Sequence, residues 1–232
     1  MNIKSELFFL LRKMGGHRLP EPVKNKVGNF LILDKNNKAT FFEERRHVVS
    51  SLMEKTLHLD GDVIECGVFE GDTTMVMAEK LKELGSNKII FGVDAFDAFP
   101  FDDNDYPFEQ QGVIKKKFSK AKGIQIPSIE EVQKKLDEKK LGNIILKKGL
   151  VENVLPTLRD KKFCFAIVDV NSYLATKQCI EFLKDRITKG GIMFLDDYNQ
   201  VGWPGATKAA NEILGKQSII TLEHVQAYWI NK

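Results

Sequence analysis

Residues 61–81 read GDVIECGVFEGDTTMVMAEKL, which is an apolar strand, a loop with two glycines and a helix in direct succession. Gly67 and Gly71 permit the backbone to approach a ligand closely, and the start of the helix offers N–H groups that lack helical partners. The loop departs from the dinucleotide pattern G-x-G-x-x-G, because Phe69 stands at the place of the middle glycine. The segment therefore predicts a ligand-binding loop that does not carry a pyrophosphate.

Apolar strands alternate with helices along the rest of the chain. Strands are predicted at 63–66, 88–93, 144–146, 163–168 and 191–195. Helices are predicted at 73–84, 129–141, 174–187 and 205–214, with a short helix or turn at 151–158. Strands that are apolar on every residue, with helices between them, are typical of a parallel sheet covered on both faces. Two final strands, 218–222 and 225–230, lie close together and should form an antiparallel hairpin. We therefore predict an α/β, Rossmann-like fold with a mostly parallel seven-stranded sheet.

Two regions lie outside this alternation. Residues 1–60 are predicted to form an N-terminal helical or lid extension, with an amphipathic helix at 3–13 and a second helix at about 41–57. The main domain is then 61–232, with an insertion at about 96–127 that is rich in Phe, Asp and Lys. Long insertions of this kind are usually lids or binding loops, although its phenylalanines could equally form a satellite core. The apolar N-terminal helix favours self-association, so a homo-oligomer is possible.

Composition narrows the functional classes. The chain has 232 residues and a formal net charge of +3, and acids or apolar residues flank its basic clusters, so we expect no nucleic-acid partner. Its three cysteines have no metal-type spacing and are expected to stay reduced, as in a cytoplasmic protein. No apolar stretch approaches the roughly 20 residues needed to cross a bilayer.

Acidic residues follow two of the predicted strands at their carboxyl ends, the edge at which open α/β sheets bind ligands. Asp169 directly follows strand 163–168, and Asp196 and Asp197 follow strand 191–195. Magnesium prefers carboxylate oxygens, but aspartates at strand ends also cap the next helix or turn. Adjacent residues of a regular strand point to opposite faces, so the Asp-Asp pair can share one ion only if the strand has already turned.

Two further acids lie near the glycine loop. Glu65 ends the first strand, where it could accept hydrogen bonds from an amino group or a hydroxyl. Asp94 ends the next strand, a position at which an acid commonly holds the two ribose hydroxyls of a nucleotide. Together these positions predict a nucleotide-like cofactor bound beside a cluster of acids.

Several segments, in the same order along the chain, resemble the macrocin O-methyltransferase family. They are GDVIECGVFEGDTTMVMAEKL (61–81), GVDAFDAFP (92–100), SIEEVQKKL (128–136), KKGLVENVLP (147–156), AIVDVNSY (166–173) and GGIMFLDDYNQVGWPGATKA (190–209). The resemblance covers roughly residues 41–230. It implies a class I methyltransferase that uses S-adenosylmethionine to methylate a hydroxyl of a sugar or a related small molecule.

The resemblance also implies roles for individual residues. The cofactor contacts would come from Glu65, Gly67, Gly71, Thr73, Asp94 and Glu152. A divalent ion, usually magnesium in this family, would be bound by Asp169, Asp196 and Asp197. An ion there would help an acceptor hydroxyl to lose its proton.

One position departs from the family pattern. Asn171 stands where the family carries a second aspartate, proposed as the general base, and an amide has no useful basicity. Either the metal alone acidifies the hydroxyl, or another residue such as His17 or His224 serves, or the acceptor is acidic already. General base catalysis is worth roughly a hundred- to ten-thousand-fold, so its loss slows the chemistry without abolishing it. Asp169 and Asn171 are therefore the candidate catalytic pair.

Two other functions stay open at this stage. Asn171 also fits a protein that binds S-adenosylmethionine but has altered or lost catalysis. A nicotinamide-dependent oxidoreductase is the rival with a different cofactor, and Phe69 in the glycine loop disfavours it.

Overall fold

Seven strands form one sheet in this structure, a computed structural model that describes residues 35–96, 126–200, 203–222 and 226–232. The strands are β1 (Asp62–Cys66), β2 (Ile90–Asp94), β3 (Ile144–Lys148), β4 (Phe163–Val168), β5 (Ile187–Leu195), β6 (Ile219–Thr221) and β7 (Ala227–Ile230). Their order is β3-β2-β1-β4-β5-β7-β6. The first five strands are parallel, and β7 pairs antiparallel with both β5 and β6. The predicted parallel sheet with a C-terminal hairpin is thus confirmed.

The helices are α1 (Lys35–Glu54), α2 (Asp72–Glu83), α3 (Ile129–Glu138), α4 (Val151–Val154), α5 (Tyr173–Lys184) and α6 (Pro204–Ala210). A 3-10 turn at Leu155–Leu158 continues α4, and a π-turn at Asn211–Gly215 continues α6. A capping box begins α3: the Ser128 hydroxyl accepts from the Glu131 N–H, while the Glu131 carboxylate accepts from the Ser128 N–H. None of the described helices combines the length and the hydropathy that crossing a membrane requires.

The predicted boundaries at the junction of α5 and β5 are wrong. The helix expected at 174–187 ends at Lys184, and β5 begins at Ile187 instead of at residue 191. Ile187 pairs with Phe163, after which the register between β4 and β5 shifts before Phe165 pairs with Ile192. The irregular pairing lets β5 begin earlier than predicted. The residues between the two paired stretches are polar or glycine, so a search for apolar runs does not detect that start.

The chain divides into two compact units, residues 1–44 and residues 45–232. The boundary predicted from the sequence lies later, between residues 60 and 61. In the unit that begins at Arg45, the second half of α1 contributes Val49, Leu52 and Met53 to the core. These three apolar side chains explain why that half of the helix belongs with the sheet. The predicted helix at 3–13 and nearly all of the predicted insertion lie outside the described residues.

Both faces of the sheet are covered by apolar side chains. One face packs Cys66, Val93, Val168 and Leu195 against α5 residues such as Ile180. The other face packs β-strand residues against α1 and α2, including Met77 and Leu81. A smaller cluster joins Val68 and Phe96 to Val132 and Leu136 of α3, so Phe96 is a satellite-core residue. The other insertion phenylalanines lie outside the described residues.

The strand order reverses between β1 and β4, which is where open α/β sheets bind ligands. Gly67 lies at this point with a positive φ of 94°. A Cβ on Gly67 would come within 1.8 Å of the Asp169 carbonyl oxygen, so any other residue would force the two chain segments apart. Gly67 therefore sets the distance between the glycine loop and the chain segment that contains Asp169.

Candidate active site

Three carboxylates meet at the carboxyl ends of β4 and β5. Asp169, Asp196 and Asp197 each offer one oxygen, and these oxygens all lie within 4.8 Å of one another. β5 ends at Leu195, and a turn occupies residues 196–199. The Asp-Asp pair therefore lies beyond the regular strand, which is the condition for both side chains to face one site. We call these three residues the acid cluster.

Arg45 joins this cluster from α1, and the sequence analysis missed it. Its Nε donates to Asp196 Oδ1 at 2.6 Å, and its Nη2 donates to Asp169 Oδ2 at 2.8 Å. Its Nη1 donates to the Thr73 hydroxyl at the start of α2. The one available signal was helical spacing: Arg45 lies four residues before Val49 and so shares the buried face of α1.

The electrostatics of this group follow from burial and mutual proximity. Burial alone would lower the pKa of Arg45, but Asp196 and Asp169 outweigh it and raise that pKa above its ordinary value. Burial raises the pKa of Asp169 well above its usual range, Asp196 raises it further, and Arg45 opposes both. Three acids in so small a volume therefore depend on a cation to stay ionised together.

Asn171 faces Asp197 as a donor. Its Nδ2 lies 3.0 Å from each Asp197 carboxylate oxygen, and its backbone N–H donates to Oδ2 at 3.0 Å. Gln200 adds a third donor to Asp197, also at 3.0 Å. Burial and Asp196 raise the pKa of Asp197 to about 7, and the hydrogen bonds from Gln200 and Asn171 oppose that rise. An aspartate at 171 would replace these amide contacts by two carboxylates in contact.

Asp94 organises the glycine loop at the other side of the site. Its Oδ2 accepts from the backbone N–H groups of Val68 at 2.8 Å and Phe69 at 2.9 Å, while its Oδ1 accepts from Phe96 at 2.8 Å. Phe69 is exposed and has a positive φ of 49°, a left-handed conformation that is uncommon outside glycine. The acid expected to bind ribose hydroxyls thus also holds the backbone of the loop.

Glu65 is buried below the loop. Its Oε2 accepts from the Thr74 hydroxyl of α2. Burial raises the pKa of Glu65 to about 8, against the opposing effects of the Thr74 hydrogen bond and Arg45. A carboxyl that is largely protonated at neutral pH can both donate and accept hydrogen bonds.

The remaining predicted residues have different surroundings. Gly71 caps the start of α2 with a positive φ of 77°, and a Cβ there would meet the Val132 side chain at 2.8 Å. Glu152 is exposed, and its Oε2 accepts from Gln178 of α5 at 3.4 Å, so among the described residues its hydrogen-bond partner lies outside the acid cluster. His17 and His224 lie outside the described residues.

The donor set of the acid cluster fits a hard divalent cation, since three carboxylates converge. Some of their oxygens already have partners: Arg45 occupies Asp169 Oδ2, and both Arg45 and Gln226 donate to Asp196 Oδ1. Within the described ranges, Asp169 Oδ1 and Asp196 Oδ2 accept no hydrogen bond. These two oxygens remain available to a ligand, whereas both oxygens of Asp197 accept hydrogen bonds.

The sheet order, the glycine loop at its switch point and the acids at the neighbouring strand ends define a class I methyltransferase fold. The macrocin-O-methyltransferase (TylF) family matches residues 42–229, so the chain belongs to that family. The expected family and fold are therefore confirmed, and members of this family are O-methyltransferase enzymes.

Individual relatives agree with this placement. Mycinamicin III 3''-O-methyltransferase from Micromonospora griseorubida is 23% identical over 193 residues, which cover 79% of this chain and 73% of that protein. The O-methyltransferase NovP has a TM-score of 0.72 at 20% identity, with 81% of this chain and 79% of NovP covered. The calicheamicin methyltransferase CalS11 has a TM-score of 0.65 at 22% identity, with 99% and 93% covered.

Proposed function

We propose that this enzyme transfers a methyl group from S-adenosylmethionine to a hydroxyl of a sugar or a related small molecule. The observation that carries the proposal is the acid cluster at the switch point, joined to the glycine loop through Gly67 and to α2 through Arg45 and Thr73. The mycinamicin and calicheamicin relatives support a glycosidic acceptor. We also propose that nucleic acid is not a substrate.

S-Adenosylmethionine would supply an electrophilic methyl group on a sulfonium centre. Gly67 and Gly71 would admit it closely to the backbone, while Asp94 would bind its ribose hydroxyls with the lone pairs that the loop N–H groups leave free. Glu65 and Thr73 would bind the polar part of the amino acid moiety. Glu152, in α4 just after β3, would contribute once its side chain leaves Gln178.

A divalent ion, most simply magnesium, is proposed at Asp169, Asp196 and Asp197. It would supply positive charge that makes a neighbouring hydroxyl easier to deprotonate. The residues of the chain would hold the acceptor so that its oxygen faces the methyl group in line with the departing sulfur. Positioning of this kind can account for several kcal/mol of the barrier, on the order of 7–11 in the best-oriented cases.

Asn171 would position Asp197 and would not remove a proton. Its amide nitrogen contacts both carboxylate oxygens of that residue, so it is a donor to the cluster. A chain with this arrangement suits an acceptor whose hydroxyl is acidic by its own chemistry, or becomes so at the ion. The same observation supports one alternative, a protein that binds S-adenosylmethionine with altered or lost catalysis.

A nicotinamide-dependent oxidoreductase is not supported. Tyr173 and Lys177 have the Tyr-x-x-x-Lys spacing that many such enzymes use, but the Tyr173 hydroxyl donates to Glu212 at 2.6 Å. Lys177 pairs with Glu181 at 3.9 Å. Both side chains therefore already have glutamate partners.

Calorimetric titration of the full chain tests the cofactor. We expect S-adenosylhomocysteine to bind and NADH to give no heat, and the reverse result would refute the proposal. The acceptor is then sought by incubating the enzyme with methyl-labelled S-adenosylmethionine and panels of nucleotide sugars, glycosylated macrolides and catechols, with and without magnesium. Binding of S-adenosylhomocysteine without transfer to any acceptor would favour the alternative of lost catalysis.

A reducing compartment is the proposed location. Cys66, Cys164 and Cys179 are all unpaired and buried, which is the state expected of thiols in the cytoplasm.

Whether the enzyme self-associates can be read from its mass in solution by light scattering.

A further inference from the structure

The guanidinium of Arg45 binds two of the three carboxylates that a divalent ion would use. Arg45 contacts Asp169 Oδ2 and Asp196 Oδ1, which belong to two of the three residues that converge as a metal donor set. Its third contact, with Thr73, anchors it at the start of α2. One cationic side chain thus already bridges the ends of β4 and β5.

The Arg45 side chain is buried and in contact with the acid cluster. Arg45 is only 8% exposed, and a guanidinium stays protonated at every accessible pH. Its charge would repel a divalent ion across the few ångströms that separate them in a poorly solvated site. If the ion binds while Arg45 keeps its two contacts, both cations share the same carboxylates at close range. Departure of the guanidinium from Asp169 and Asp196 avoids that repulsion.

We propose that Arg45 competes with the divalent ion for Asp169 and Asp196, and that it thereby lowers the affinity of the acid cluster for the ion. In the free enzyme the guanidinium holds the Asp169 and Asp196 carboxylates together, and entry of the ion displaces it. The inference rests on the metal site of the proposed function and adds a positioning residue that controls occupancy. Arg45 is also the residue that links metal binding to the start of α2, where the cofactor would lie.

Manganese binding, followed by the paramagnetic resonance of the free ion, tests the competition without any turnover. Arg45→Gln removes the charge and keeps a hydrogen-bond donor, so we expect manganese to bind at least about tenfold more tightly than to the wild type. Damage to the site would weaken binding, so a gain cannot come from misfolding. Arg45→Met repeats the measurement if the glutamine variant does not fold.

Arg46→Gln is the matched control on the same helix. Arg46 is half-exposed and pairs at 3.5 Å with Asp72, which is not one of the three acids of the cluster. We expect its manganese affinity to equal that of the wild type. An equal gain in the Arg46 variant would overturn the inference, because general surface charge would then explain the effect.

A second readout observes Arg45 itself in the wild type. The Nε–H resonance of Arg45, assigned by its loss in Arg45→Gln, should shift as magnesium is added, because its bond to Asp196 breaks. The inference fails if magnesium binds and this resonance does not move, or if Arg45→Gln binds manganese no more tightly than the wild type. Calorimetry with S-adenosylhomocysteine distinguishes failure of this inference from failure of the proposed function. If the competition fails but S-adenosylhomocysteine still binds, the methyltransferase assignment stays intact.

Discussion

The two halves of the site satisfy their acids in opposite ways. On the glycine-loop side, where we propose that the cofactor binds (the cofactor side), Asp94 accepts hydrogen bonds from three backbone N–H groups, all within 26 residues of it along the chain. On the side of the acid cluster, where we propose that the acceptor binds (the acceptor side), Asp196 accepts from Arg45, which is 151 residues away, and Asp169 accepts from the same guanidinium across 124 residues. The first half is held by its own loop, and the second depends on a side chain from α1.

The difference has a physical consequence. Backbone N–H groups are neutral and fixed by the loop, so the cofactor side is preorganised for hydrogen bonding. A guanidinium is charged and sits on a long flexible stem, which suits the proposed exchange of Arg45 for a divalent ion on the acceptor side. The cofactor side should therefore respond to substitution mainly through stability and affinity, and the acceptor side mainly through ions and charge.

The largest effect is expected where the two halves touch. Gly67→Ala would place a Cβ 1.8 Å from the Asp169 carbonyl oxygen at a φ of 94°, so the backbone must move. We expect a loss of more than about 4 kcal/mol in the free energy of unfolding, or no folding at all. Urea denaturation measures it. Gly85→Ala is the control, because its φ is 63° and nothing lies within 4 Å of the added Cβ. The control should lose only about 1 kcal/mol.

Asp94→Ala tests the preorganised side. Three backbone N–H groups would lose their carboxylate, and we expect a loss of about 3 kcal/mol in unfolding free energy together with weaker binding of S-adenosylhomocysteine. Asp62→Ala removes an acceptor of one such group, the Ile89 N–H at 3.0 Å, and should cost about 1 kcal/mol with cofactor affinity retained. Equal losses in the two variants would show that Asp94 does not organise the loop.

Glu65→Gln gives a pH-dependent effect. The pKa of Glu65 rises from 4.5 to about 8 on folding, so the native state binds the proton more tightly than the unfolded chain. The stability of the wild type should therefore fall as pH rises from 4.5 towards 8, and the neutral glutamine should escape this fall. We expect the variant to be more stable by about 2 kcal/mol near pH 9 and unchanged at about pH 4. Thermal melts across this range check it, with the exposed Glu54→Gln as control.

Asn171→Asp tests the acceptor side. The new carboxylate would lie against Asp197 at the 3.0 Å contacts that the amide now makes. We expect unfolding free energy to fall by about 1–2 kcal/mol without metal, and magnesium to restore it by neutralising the added charge. Thermal melts with and without magnesium measure this, and the exposed Asn153→Asp variant serves as the control. If the melting temperature stays constant without metal, Asn171 does not organise Asp197.

Ser128→Ala should have the smallest effect. The capping box at the start of α3 is local and partly exposed, and its loss should cost about 1 kcal/mol in unfolding free energy. Denaturant titration resolves a change of that size. The metal affinity of the acid cluster should be unaffected. This result would show that the capping box acts only on α3, whereas the contacts on the acceptor side join distant parts of the chain.

Much of the fold was predictable because its signals are local. The strands at 63–66 and 163–168 are apolar on every residue, and their order with the helices between them defines a parallel sheet. The start of β5 at Ile187 was not predictable in the same way, because a register shift against β4 sets it. In the site, the acids were found by their places after strands, whereas Arg45 stands alone in a helix with no motif around it.

The sequence by itself determined the sheet, the glycine loop, the family and the identity of the acids at the strand ends. These depend on short-range patterns: apolar runs, glycine positions and residues that follow strands. Only the tertiary structure decided what each acid contacts. It placed Asn171 as a donor to Asp197, gave Asp94 the loop backbone to hold, and brought Arg45 onto Asp169 and Asp196. Such contacts join residues far apart in the chain, and the packing of α1 against the sheet, which no local pattern records, creates them.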